Sequence, residues 1–413
     1  MAKSKHLKDP VGKYSGKPVV HKRDTTPLYP DKLTSSQISQ GGRTGDCFLL
    51  STINSVLALP EGEKFIRKHM VEKDDKIHVL FYDDYRKPQW ITIDKTLPTS
   101  SGLLSSGPTW VRYLEKAYTA FKTGDYNKAL EGGKSSKALE TFIGGSSESL
   151  SLPYQSQNKL KDLYKKNICG CSGTDVYALI FLLRPFDKSA SKDNMVKHIF
   201  KGNEQLLSAW WTWVKQNKSG WEQLLNTHPL TIEKFEAHIH KMEKKHAATC
   251  PKEAIQAVVG WLNTNKILPS RNSYSDDEER LFSEMKTAIV NQEPLVTDPK
   301  PNPPSGIIME HSYAIVGVRE NPETHRKFVV LRNPYPENRS WFSHLFLSGG
   351  RHSTEKIDPK TGQSKLSISS TKSSTFEMEL RDFTQAFAYV DKGGSLEKAP
   401  FVHEQDESIT YTR

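Results

Sequence analysis

The chain has only four cysteines in 413 residues. That is too few for a disulfide framework, and it suits a reducing compartment in which a free thiol survives. No apolar run reaches the roughly 18 residues a membrane-spanning helix needs. The opening stretch MAKSKHLKDPVGKYSGKPVVHKRD is basic but lacks the apolar segment of a secretory signal. A cytoplasmic protein is therefore expected, or one exported into a target cell without such a signal. Metal ligands at useful spacing are also scarce. His238 and His240 are two apart and point to different sides of a helix; His246 and Cys250 share a face but make only two ligands, where structural zinc takes four. Cys169 and Cys171 read as part of a core strand. The net charge of +10 comes from dispersed lysines without a nucleic-acid-binding motif, so it reads as a solvated basic surface.

What is present is one cysteine in an unusual setting. In Gln40-Gly-Gly-Arg-Thr-Gly-Asp-Cys47-Phe-Leu-Leu50, a glycine and an aspartate deliver Cys47 to the start of an apolar helix that Pro60 stops. Phe48, Leu49, Leu50, Ile53, Val56 and Leu57 give that helix a wide buried face. Unpaired backbone N–H groups and the helix dipole favour an anion at its first turn, which is where a thiolate nucleophile is best placed. A core cysteine is the plainer reading of any single thiol. The rest of the chain shifts the balance.

A thiol nucleophile needs an imidazole, and the imidazole needs an orienting group. HSYAIVGV from His311 and KFVVLRNPY to Tyr335 read as two strands joined by a polar turn containing Asn321-Pro322. A pairing centred on residue 322 sets His311 opposite Asn333, within hydrogen-bonding reach. The amide would fix the ring tautomer and leave the other nitrogen for the thiol.

Together these segments resemble the calpain family of cysteine proteases, which have a papain-like core. The resemblance is carried by QGGRTGDCFLL, WITIDKTLPTSSG (90–102), WVRYLEKAYTAFKTGDYNKALEGG (110–133), ALETFIGG (138–145), GIIMEHSYAIVGV (306–318), VVLRNPY (329–335) and STFEMELRDFTQAF (374–387). It implies Cys47 as nucleophile, His311 as general base and acid, and Asn333 as the residue that orients His311. It also implies an oxyanion-hole glutamine, for which Gln40 is the candidate, one residue farther from the cysteine than the family spacing, with Gln37 as its substitute. Two aromatic positions depart from the family's tryptophans: Phe48 follows the cysteine, and Tyr335 replaces the residue that shields the His–Asn pair. The calcium-holding acids of that family are thin here. Glu148 matches one, SSQISQ lacks the expected aspartate, and PYPENRSWFSHLF offers only Glu337. A cation wanting six or more oxygens is poorly served. No cofactor and calcium-independent activity are expected.

The fold implied is α+β, with a helical half and a β-rich half facing each other across a cleft. The expected organisation is a flexible basic leader (1–30), a helical half with Cys47 (31–151), an inserted mainly helical domain (152–278), a β-rich half with His311 and Asn333 (279–395) and a frayed polar tail (396–413). A Ser/Thr/Gly/Lys-rich stretch at 346–374 reads as a mobile loop. Trp210, Trp211, Trp213, Trp221 and Trp261 lie in the insert, either as its core or as an exposed platform that binds substrate or a partner. The function expected is a thiol endopeptidase acting on proteins or peptides. Deamidation, transamidation or isopeptide cleavage through the same thioester, and a non-catalytic binding module, are the alternatives.

Overall fold

In the computed structural model of the chain, strands appear where a flexible leader was expected. β1 (Lys5–His6), β2 (Lys13–Tyr14), β3 (Lys17–Pro18) and β4 (His21–Arg23) tie residues 5–23 to the first half of the protein. The physical reason is a buried cation. The Lys116 ammonium is fully enclosed, and Asp9 supplies its counter-charge at 2.5 Å, without which the burial would be strongly unfavourable. Leu7, Tyr14, Val19 and Tyr29 also pack against the core. The structure describes residues 4–41, 44–152, 199–225, 232–245, 251–264, 274–335, 350–357 and 364–403. Among these, no helix is long and apolar enough to cross a membrane. The chain divides into two units, Met1–Leu152 with Arg280–Arg413, and Pro153–Glu279.

After β4 the first unit continues with α1 (Cys47–Leu57), α2 (Gly62–His69), β5 (Met70–Lys73), β6 (Lys76–Tyr82), β7 (Pro88–Asp94) and β8 (Thr96–Pro98). Ten of the eleven residues of α1 are buried, and each large apolar side chain among them contributes about 1.5–3 kcal/mol of transfer free energy. β5, β6 and β7 form an antiparallel sheet with β1 added in parallel to β7. Its period-two pattern serves two faces. Ile77, Val79, Phe81, Ile91 and Ile93 join the main core, while Leu80, Tyr82 and Trp90 point the other way. α3 (Thr109–Lys122), α4 (Tyr126–Ala129), α5 (Ser135–Ile143) and β9 (Glu148–Ser151) complete this half.

The described part of the second unit is helical: α6 (Glu204–Gln216), α7 (Lys218–Leu225), α8 (Ile232–Lys245) and α9 (Lys252–Thr264). Asn203 caps α6, its Oδ1 accepting from the Gln205 and Leu206 amides at 3.0 and 3.1 Å. Trp210, Trp213, Trp221 and Trp261 are buried in this unit's core, and Trp211 packs partly buried against it. An exposed aromatic platform is therefore not what these residues form. His238 bonds the Gly220 carbonyl at 2.7 Å and His240 pairs with Glu243. Cys169, Cys171, His246 and Cys250 lie outside the described residues.

From Arg280, inside α10 (Asp276–Val290), the first unit resumes and runs on through β10 (Leu295–Pro299), β11 (Tyr313–Glu320), β12 (Lys327–Arg332), β13 (Gly350–Ile357), β14 (Ser364–Thr371), β15 (Thr375–Glu379), α11 (Leu380–Ala386) and β16 (Phe387–Lys392). A six-stranded sheet has the order β15-β12-β11-β10-β16-β9. β9 comes from the first half of the sequence, so the sheet itself joins the two halves. The stretch expected as a mobile loop is instead largely the β13–β14 hairpin, paired from Gly350↔Thr371 to Ile357↔Ser364. Its serines and threonines suit a solvated ribbon as well as a loop, which composition alone does not separate. Part of the expected frayed tail is also docked. Phe401 and Val402 cover the outer cluster of Leu80, Tyr82 and Trp90, Trp90 Nε1 donates to the Val402 carbonyl at 2.8 Å, and the Tyr82 hydroxyl bonds the Pro400 carbonyl. Residues 404–413 lie outside the described part.

Candidate active site

Gly45 has to be a glycine. Its N–H donates to the Leu130 carbonyl at 2.6 Å, and a Cβ there would sit 2.8 Å from the Glu131 carbonyl carbon and 3.0 Å from the Gly132 nitrogen. This close approach holds the turn that leads into α1. Asp46 follows, fully buried, its carbonyl taking the first helical bonds from Leu49 and Leu50 at 3.0 Å. Its carboxyl does not cap the helix. It lies against Glu115 of α3 and accepts from the Thr44 hydroxyl at 3.2 Å. Glu115 in turn accepts from the Ser105 amide through both oxygens, at 2.9 and 3.1 Å. Burial pushes both acids upward, Glu115 the more strongly, so Glu115 holds the proton that the pair shares.

Cys47 is the first residue of α1 and only 9 % exposed. Burial pushes its thiol above the ordinary value, and the charges of Asp46 and Asp298 push the same way; the backbone N–H and hydroxyl of Ser312 pull it back. Ser51, one turn along the same helix, donates to the Ser312 carbonyl at 2.8 Å. α1 is thus docked on the segment that carries His311.

His311 is buried, and its Nε2–H donates to Asn333 Oδ1 at 2.8 Å. The same oxygen accepts from the Tyr335 amide at 2.9 Å, and the Asn333 N–H donates to the Ser374 carbonyl at 2.7 Å. An acceptor fixed from two sides assigns the proton to Nε2 and leaves Nδ1 as a lone pair. Tyr335 stacks on the imidazole with centroids 4.4 Å apart and planes within 2°. Tyr313 meets it edge-on at 5.1 Å. Burial pulls the His311 pKa down to about 4, against the raising effect of the Asn333 bond.

The His–Asn pair forms, but not by the register expected. β11 and β12 pair Ala314 with Arg332 and, past a bulge after Ile315, Gly317 with Val330. The turn is closed by Asn321 N–H to the Arg326 carbonyl at 2.8 Å, so its centre falls later than residue 322. His311 and Asn333 therefore lie just beyond the strand ends, and the length of the imidazole closes the gap.

Gln40 is buried in the loop before α1, whereas Gln37 is exposed at the end of a short 3-10 turn. The Gln40 backbone N–H donates to the Pro334 carbonyl at 2.8 Å, and its Nε2 donates to the Thr44 carbonyl at 2.6 Å. That loop is thus fastened to the Asn333-Pro334-Tyr335 turn. Phe48 is core: it meets Tyr118 edge-on at 6.0 Å, and any Cβ on Gly133 would lie 2.7 Å from its ring. Residues that sequence reasoning missed are Ser312, Ser135, Asp298 and Glu115, and it gave Asp46 no role beyond leading into α1. The only available signal was adjacency of Asp46 and Ser312 to residues already singled out.

Glu148, the residue that matches a calcium-holding position in the family, is exposed on β9 and paired with the Lys392 ammonium at 3.0 Å; Glu337 lies outside the described residues. Among the described residues no group of three or more His, Cys, Asp or Glu is arranged to hold a metal ion.

A family model for calpain family cysteine proteases matches residues 17–177 and 222–392. The chain belongs to the calpain family. The stretch between the two matches, 178–221, falls inside the Pro153–Glu279 unit. The chain is 32% identical over 162 residues to the calpain-1 catalytic subunit of Mus musculus, covering 34% of this chain and 21% of the relative. It is 30% identical over 148 residues to calpain clp-1 of Caenorhabditis elegans, covering 32% and 18%. Against calpain-5 of Mus musculus it is 27% identical over 146 residues, covering 31% and 22%. The matched part thus spans only about a fifth of each of these calpains.

Proposed function

We propose that this calpain-family chain is a thiol endopeptidase that cleaves protein or peptide substrates through a thioester on Cys47. The observation that carries the reading is the 2.8 Å bond from His311 Nε2 to Asn333, which leaves Nδ1 as the basic nitrogen. At neutral pH a histidine held near pKa 4 is uncharged, and the buried thiol keeps its proton. The resting pair is therefore neutral, and the thiolate–imidazolium pair forms as the carbonyl is attacked. His311 takes the Cys47 proton, the sulfur adds to the carbonyl carbon, and His311 then protonates the departing amine. Water, deprotonated by His311, releases the acid product. The oxyanion is met by the Cys47 backbone N–H, which has no acceptor within its own helix, and by Gln40, whose Nε2 exchanges the Thr44 carbonyl for it.

Activity independent of calcium is part of this reading. The β9–β16 pairing, the Ser51–Ser312 bond and the Gln40–Pro334 bond support it by holding the Cys47 helix to the His311 segment. Incubating active and Cys47→Ala protein with a cell lysate and sequencing the new N-termini tests the assignment. New termini are expected only with the active protein, and equally with a calcium chelator present. Cleavage by the Cys47→Ala protein would refute the nucleophile. Loss of activity on chelation would refute calcium independence. A one-dalton mass gain on a substrate without cleavage would indicate deamidation.

A further inference from the structure

We propose that Arg332 is a positioning residue for the His311–Asn333 pair, fixing Asn333 from β15 and from the loop that carries Gln40. The inference rests on the reading of His311 as the base and Asn333 as its orienter. Arg332 is the last residue of β12, directly before Asn333, and its side chain is buried. Its Nη1 donates to the Ser374 and Thr375 hydroxyls, both at 3.0 Å, and its Nη2 donates to the Ile38 carbonyl at 3.5 Å. Ile38 is fully buried and stands two residues before Gln40. Ser374 is used twice: its hydroxyl takes the guanidinium, and its carbonyl takes the Asn333 N–H at 2.7 Å. On the other side of Asn333, the Pro334 carbonyl takes the Gln40 N–H at 2.8 Å.

The pairing of β12 with β15 ends at Arg332↔Thr375. Asn333 therefore lies just past the ladder, where the strand no longer fixes it, yet its Oδ1 has to meet His311 Nε2 at 2.8 Å. The guanidinium supplies the missing hold. Its fork of N–H donors reaches acceptors on two segments at once, 374–375 and the loop before α1, which the point charge of a lysine does not do. Filling the space is not a reason for a cation here, because a methionine of similar length would do so without the cost of burying a charge. What the charge brings is direction: the residue before Asn333, its own N–H and the residue after it are all tied down, so the amide has one aim.

The test is a double-mutant cycle on the full chain, with initial rates on a denatured, fluorescently labelled protein measured over a range of concentrations. Arg332→Met is expected to lower kcat about ten- to hundredfold, the scale of a misplaced reacting group. KM should stay within about twofold, since the residue touches Asn333 and its supports rather than substrate. Arg332→Lys keeps the charge without the fork and should fall between wild type and Arg332→Met. In an Asn333→Ala background the effect should be mostly masked, leaving Arg332→Met within about threefold of Asn333→Ala alone. Disturbed packing would not show that masking. Losses that multiply in the double variant would overturn the proposal, as would a change confined to KM or a wild-type rate for Arg332→Met. If circular dichroism shows Arg332→Met to be unfolded, Ser374→Ala removes one acceptor of the fork instead. It should lower kcat about tenfold with the same masking, and a wild-type rate would overturn the proposal equally. Asn333→Ala alone at the wild-type rate would refute the underlying reading, an outcome separate from a slow Asn333→Ala protein beside unaffected Arg332 variants.

Discussion

Gly45→Ala is the most direct perturbation of the turn that presents Cys47. The added Cβ would lie 2.8 Å from the Glu131 carbonyl carbon, where ordinary contact begins at 3.4 Å, so one of the two backbones must give by about 0.6 Å. Neither is free to do so cheaply. Gly45 is bonded to the Leu130 carbonyl at 2.6 Å, and Asp46 behind it is enclosed against Glu115. Overpacking of this kind costs about 1–3 kcal/mol of stability. The effect on reactivity should be larger in proportion, because Cys47 is two residues away and misplacement of a reacting group by about 1 Å costs on the order of a hundredfold. A ten- to hundredfold fall in peptidase rate is therefore expected, about the scale set by that sensitivity. The assay is hydrolysis of a generic protein substrate at one temperature, alongside urea unfolding of the same preparations. Gly260→Ala is the matched control: it lies in α9 with nothing within 4 Å of the new Cβ, and should raise stability by about 0.4–1 kcal/mol. A Gly45→Ala protein with wild-type rate and stability would refute the close-approach argument.

Asn333→Ala leaves the His311 Nε2–H and the Tyr335 N–H without their shared acceptor. It should lower the rate about ten- to hundredfold, a loss on the scale of one or two buried bonds. Asn333→Asp keeps the acceptor and adds a charge, so it should recover part of the rate and raise the acid limb of the pH–rate profile. Stability should fall as pH drops, because His69 and His311 are both pulled by burial from 6.5 to about 4. Between those values the unfolded chain binds more protons than the folded one. The stabilisation is complete above about pH 6.5 and lost toward pH 4, at about 3 kcal/mol for each histidine. Asp46 and Glu115, shifted upward, contribute the opposite slope. Urea midpoints from pH 7 to 4.5 for wild type and His69→Gln isolate the histidine part; equal slopes in the two proteins would refute it.

The sequence alone was enough to single out Cys47, because a helix start after Gly-Asp is a local pattern set by backbone sterics and apolar periodicity. His311 and Asn333 were legible as a pair, although the assumed register was wrong: where the turn closes and where a bulge falls are small energy differences between neighbouring pairings. What only the tertiary structure decided were matters of burial. Asp9 became a structural residue because Lys116 is enclosed, the 399–403 segment docked because the outer face of a two-faced sheet needed cover, and four tryptophans went inward to build a core. The line from Ser312 through Ser135 to Asp298 joins the start of β11, α5 and β10. No local pattern encodes such a line, since its members become neighbours only when helix and sheet pack, and hydrogen bonding acts over distances that the chain's own order does not record.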